Sequence, residues 1–185
     1  MARTTARRKG HDLLGIYLND HLAGATGGVG LARRMAAAAD PGSEPARVLS
    51  TLATEITQDR AALIKIMGAL GIPVRGYKVI AGWAGEKAGR VKLNGRLVTR
   101  SPLSALEETE LLRLGVEGKA AGWRSLRSFA ERDSRLDVDQ LDDLLDRAKR
   151  QSYTLETLRV TVAERVLTTE TVPPGIAEPP YPSRH

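Results

Sequence analysis

Asp20 and His21, beside Asn19, form a polar cluster in the middle of the stretch Leu13 to Ala36, which is otherwise mostly small and apolar until Arg33 and Arg34 near its end. Leu14, Leu18, His21, Ala25, Gly28, Ala32 and Met35 recur at steps of three and four, which gathers them on one side of an α-helix. His21 thus falls on the buried stripe and Asp20 on its edge. A carboxylate beside an imidazole at a buried helix midpoint can ligate a metal or move a proton. The same pair can also be a hydrogen-bonded core feature, and base rates for buried polar groups favour that reading. Asp59 poses the same question, because it lies on the apolar stripe of the next helical segment, among Leu49, Leu52, Ile56, Leu63, Ile66 and Leu70.

Four helical segments must position these groups. The first is expected over about 11–39, after a basic tail (1–10) expected to be disordered. Gly24, Gly27, Gly28 and Gly30 oppose this helix by about 1 kcal/mol each relative to Ala, so close approach by a neighbour is expected there. Asp40-Pro41-Gly42-Ser43 reads as a turn in which Ser43 caps a second helix over about 45–70. Gly71 supplies a left-handed cap and Ile72-Pro73 a stop. Ser101-Pro102 opens a third helix to about 132, with Leu112, Val116, Trp123, Leu126 and Ala130 on one face. Asp137, with Gln140 three positions on and Leu136 and Leu141 flanking, starts a fourth over about 138–168. Its expected stripe is Leu141, Leu145, Ala148, Ser152, Leu155, Val162 and Val166. The Pro-rich end, 169–185, cannot continue a helix for long.

Between the second and third helices, 74–100 is strongly basic and expected to be partly helical. A connection this long is what a bundle needs when its second and third helices run parallel. The same segment is the expected partner-binding surface. Tyr77 and Trp83 beside Lys78, Lys87, Arg90, Lys92, Arg96 and Arg100 suit an acidic protein surface or a phosphate ligand.

Composition narrows the function classes. The chain of 185 residues is one domain's length, and its scarce aromatics (4%) leave a core of Leu, Val, Ile and Ala suited to helix-on-helix packing. Cysteine is absent, which removes disulfides, thiolate metal sites and a cysteine nucleophile, and fits a cytoplasmic protein. No apolar run reaches the roughly 20 residues needed to span a bilayer, so no membrane association is expected. The net charge of +6 includes a cluster at Arg3, Arg7, Arg8 and Lys9, through which nucleic acid is an alternative partner. Gly115-Val-Glu-Gly-Lys119 lacks the strand and spacing of a phosphate loop and falls inside a helix. The Ala-, Arg- and Gly-rich composition suggests a bacterial source.

The whole pattern, an all-α chain of two antiparallel helical hairpins joined by a basic crossover, resembles the ferritin-like four-helix-bundle superfamily over 11–168. The resemblance implies mid-helix metal ligands, a carboxylate on the first helix and Glu-x-x-His on the second, repeated on the third and fourth. Asp20 and Glu55 match the opposed mid-helix positions. Gln58 stands where the motif has His, and Asp59 follows it. The third and fourth helices have no Glu-x-x-His, and at the middle of the fourth the candidates are Gln151 and Ser152. The metal set implied is therefore Asp20, His21, Glu55 and Asp59, half of a two-metal site. The expectation is a bundle without cofactor that acts in interaction or assembly, as a homo-oligomer or with an acidic protein. A divalent metal such as iron, in an oxidase-like bundle, is the alternative. As a core feature, Asp20 or Asp59 is expected to pair with Arg60 or His21.

Overall fold

A computed structural model describes residues 2–75 and 102–169, with side chains from 13 to 75 and from 103 to 168. The described residues form four helices and no strand: α1 (Ala2–Ala38), α2 (Glu44–Ala69), α3 (Pro102–Ala130) and α4 (Val138–Thr169). No described helix is long and apolar enough to cross a membrane.

The helix ends follow local chemistry. Ser43 caps α2 by accepting from the Ala46 amide at 3.2 Å. At the other end Gly71 is left-handed (φ +70°); its amide donates to the Gly68 carbonyl and the Ile72 amide to that of Met67. That double bond is the Schellman arrangement, and buried Ile72 seals it against the core. Asp137 accepts from the Gln140 amide at 3.1 Å, while Leu136 and Leu141 are both buried beside this cap. α1 starts earlier than expected. Its backbone is helical from Ala2, so the segment expected as a disordered tail is part of the helix, consistent with the good helix propensity of Ala and Arg. The terminal segment 170–185 and nearly all of the basic crossover lie outside the described residues.

The core follows the expected stripes of α2 and α3 without exception, from Leu49 to Leu70 and from Leu112 to Ala130. α4 departs from its expected stripe: Leu144 is buried where Leu145 is only half-buried, and Gln151 points inward at 1% exposure while Ser152 lies at the side and donates to Glu117; Val162 is also only half-buried. The buried series Leu141, Leu144, Ala148, Gln151, Leu155 keeps the three-four alternation of a core-facing seam. α1 packs most extensively on α2, and α3 on α4; α1 also meets α3, and α4 also meets α2. Paired side chains mark the register. Thr26 meets Arg60 and Arg33 meets Thr57 between α1 and α2; Arg127 meets Asp142 and Arg113 meets Glu156 between α3 and α4.

The glycines of α1 do not serve the close approach expected of them. A Cβ on Gly24 or Gly27 would meet nothing within 4 Å, and one on Gly28 would make only ordinary contact with Ile56. The tight glycine is Gly122 on α3, where a Cβ would sit 3.0 Å from the His21 ring. Two other α3 glycines, Gly115 and Gly118, are exposed with open space around them. Opposite outcomes are therefore expected within one helix. Gly115→Ala and Gly118→Ala should each stabilise by up to about 1 kcal/mol, while Gly122→Ala should destabilise by roughly 1–3 kcal/mol through overpacking. Thermal or urea unfolding of the three variants checks the signs.

Candidate functional site

The polar centre of the bundle is built around Asp59, 1% exposed on α2. Its Oδ2 accepts from Lys119 Nζ of α3 at 2.5 Å and from Gln151 Nε2 of α4 at 3.2 Å. Lys119 also donates to Gln151 Oε1, and Gln151 Nε2 donates to Glu55 Oε2 at 2.9 Å. Gln151 thus uses its carbonyl on the cation and its amide nitrogen on both carboxylates. On the other oxygen, Arg147 Nη1 lies 3.2 Å from Asp59 Oδ1, close enough to attract but without hydrogen-bond alignment. The same nitrogen donates to Gln58 Oε1 at 3.1 Å.

Electrostatics explain the composition of this set. An isolated carboxylate in a low-dielectric interior would lose its charge, so Asp59 requires compensation. Lys119 and Arg147 balance Glu55 and Asp59, two positive against two negative. Burial pushes the Lys119 ammonium below the ordinary lysine range, outweighing the opposing pull of Asp59. Three helices contribute; among the described residues α1 makes no hydrogen bond or ion pair to the set. Chemically, the centre is an ion-pair network in which Asp59 Oδ2 and Gln151 Oε1 converge on the Lys119 ammonium, while Glu55 is held by the Gln151 amide.

Asp20 and His21 form a second, separate place. Asp20 is exposed, and His21 lies half-buried against Gly122 with the Tyr17 ring edge-on at a centroid distance of 4.4 Å. The Tyr17 hydroxyl donates to Ser125 Oγ at 3.1 Å, so the pair docks α1 on α3. Burial lowers the His21 pKa below its ordinary 6.5, with Asp20 opposing the shift. Asn19, beside them in sequence, accepts from the Arg75 amide at 2.7 Å and donates to the Pro73 carbonyl, tying the chain after α2 to α1.

The implied metal set is thus divided, Glu55 and Asp59 on the network and Asp20 and His21 at the α1–α3 contact. Among the described residues no group of three or more His, Cys, Asp or Glu is placed to hold a metal. For Asp59 the expected core pairing is also corrected, while Asp20 interacts electrostatically with His21. Asp59 takes Lys119 and Arg147 from the second half of the chain, whereas Arg60 Nε donates to Thr26 at 2.9 Å. Arg147 carries no signal in the sequence, and Lys119 stands out there only as the end of the rejected phosphate loop, although it sits on the α3 apolar stripe between Val116 and Trp123. Tyr77, Lys78, Trp83, Lys87, Arg90, Lys92, Arg96 and Arg100 lie outside the described residues. Comparison of the chain with family models, curated proteins and solved structures gave no match.

Two expectations follow from these environments. Lys119→Met leaves Asp59 short of its closest cation and should destabilise by about 3–5 kcal/mol. Adding Asp59→Leu should recover at least about 1 kcal/mol relative to the sum of the single losses, as measured by a double-mutant cycle. For His21, the folded pKa is the lower one. The unfolded chain therefore takes up its proton first as pH falls below about 6.5. Stability should fall as pH drops through that window, and His21→Gln should remove this part of the dependence in urea titrations at pH 7.5 and 5.5.

Proposed function

We propose that this chain is a non-catalytic ferritin-like helical bundle acting in interaction or assembly. The carrying observation is the Lys119 ammonium, bonded to Asp59 and Gln151 at the centre of the helices, where the resemblance would put metal ligands. A resident cation that satisfies those oxygens gives the centre a structural role, fixing the register of α2, α3 and α4. The ferritin-like reading is supported by contact directions. Along α1 and α2, and along α3 and α4, rising numbers on one helix meet falling numbers on the other. Asp59 of α2 meets Lys119 of α3, and Leu70, just past the end of α2, meets Arg135, just past the end of α3, which supports α2 and α3 advancing together, as a long crossover demands. A bacterial, cytoplasmic setting is in keeping with the cysteine-free, Ala- and Arg-rich sequence.

One observation favours a second reading, a mononuclear cation site. Glu55, Asp59 and Gln151 bring oxygens from two helices to one locus, a donor set suited to a hard divalent ion if Lys119 withdrew. Elemental analysis of protein purified without chelator or affinity nickel separates the two. Less than about a tenth of an equivalent of any transition metal, with Lys119→Met also unstabilised by added Mn²⁺, is the outcome expected from the interaction reading. Near-stoichiometric metal in the parent, lost in Glu55→Ala, would establish the second.

A further inference from the structure

The outward face of α1 differs from an ordinary solvent face. Leu13 (68% exposed), Ile16 (45%), Asp20, Gly24, Gly27, Arg34 and Ala38 recur at helical spacing along the exposed side, interrupted between Gly27 and Arg34 by Leu31, which is buried. From 13 to 38 this strip is roughly 38 Å long at 1.5 Å per residue. It carries two large exposed apolar side chains, two bare glycines and only two charges. No ion pair to either Asp20 or Arg34 is formed among the described residues.

The positions of those charges specify an occupant. Asp20 and Arg34 lie seven residues to either side of Gly27, on the same face, since seven residues return nearly to the starting angle of an α-helix. An antiparallel helix of identical sequence, crossing at Gly27, would set Asp20 against Arg34 of the second copy, and Arg34 against its Asp20. Ile16 would fall opposite Ala38 of the second copy, and Gly24 opposite its Gly30. The charge pattern is self-complementary in the way a two-fold interface requires. The Arg34 guanidinium already leans back one turn over Gly30, toward Gly27: a Cβ there would lie 3.5 Å from Arg34 Nη1.

We infer that a second copy of this chain docks on the outer face of α1, antiparallel and centred on Gly27. The inference deepens the assembly reading above and rests on it. The absence of a Cβ at Gly24 and Gly27 then lets two helix backbones approach, which accounts for glycines that no neighbour among the described residues requires.

The test is sedimentation velocity on the full chain over a concentration series, comparing the parent with Asp20→Arg, Arg34→Asp and the double reversal. The parent should be dimeric. Each single reversal turns two attractive pairs into repulsive ones and should weaken the dimer about tenfold. The double reversal should return affinity to near the parental value, with thermal melts showing all variants folded. Gly27→Arg, which sets a cation against its own copy, should dissociate the dimer without unfolding the monomer. A monomeric parent overturns the proposal, as does a double reversal no tighter than the singles. A strongly destabilised monomeric Gly27→Arg also overturns it, because the face would then be covered by another part of the same chain. Dimerisation on this face together with stoichiometric metal at Glu55 would sink the non-catalytic reading and leave the interface standing.

Discussion

A single buried carboxylate sets the terms for the bundle. Asp59 is almost fully removed from water, and its charge is tolerable only because Lys119 and Arg147 reach it from α3 and α4. Gln151 then bonds both carboxylates and the ammonium, which fixes where α4 sits along α2. A shift of either helix by one turn would carry these partners about 5.4 Å apart. Apolar residues alone, mostly leucines of similar size, specify register far less sharply than this polar contact. The apolar stripes supply the driving force for association, and the ion pairs select one alignment.

α1 is held by different physics. Its contact with α3 depends on shape, with the flat His21 ring lying over the bare backbone at Gly122 and Tyr17 closing one edge. Its contact with α2 combines apolar packing with short polar ties, Arg60 to Thr26 and Arg33 to Thr57. Asn19 adds a backbone clasp at Pro73 and Arg75. The Asn-Asp-His cluster that stands out in the sequence thus serves three separate ends: a clasp, an outward charge and a flat packing element.

The architecture was legible in the sequence because its signals are local. Gly71 before Ile72-Pro73 and Asp137 before Gln140 are complete within a few residues, and each marks a helix end where the structure has one. The buried stripes of α2 and α3 were legible for the same reason, since periodicity needs no partner. The central network was legible only on one side. Asp59 drew attention as a carboxylate on an apolar face, but its partners lie 60 and 92 positions away in the sequence, and only the relative register of three helices brings them together. Lys119 carried a usable signal, a cation within an apolar stripe; its neighbouring glycines, read as a failed phosphate loop, concealed it. On α4 a heptad placed Ser152 inward where the structure places Gln151, a slip of one residue that hid the hub of the network.

The division of charge between the two halves of the chain bears on how the protein is made. In the first half α2 brings both acids of the network, while in the second α3 and α4 bring both cations and the bridging amide. Before α3 and α4 are made, Asp59 lies on the apolar face of α2 with Glu55 beside it and without its cations, so two such faces brought together repel there. The second half, arriving later, presents the matching cations. Premature pairing between nascent chains is thereby disfavoured by the same residues that complete the finished interior.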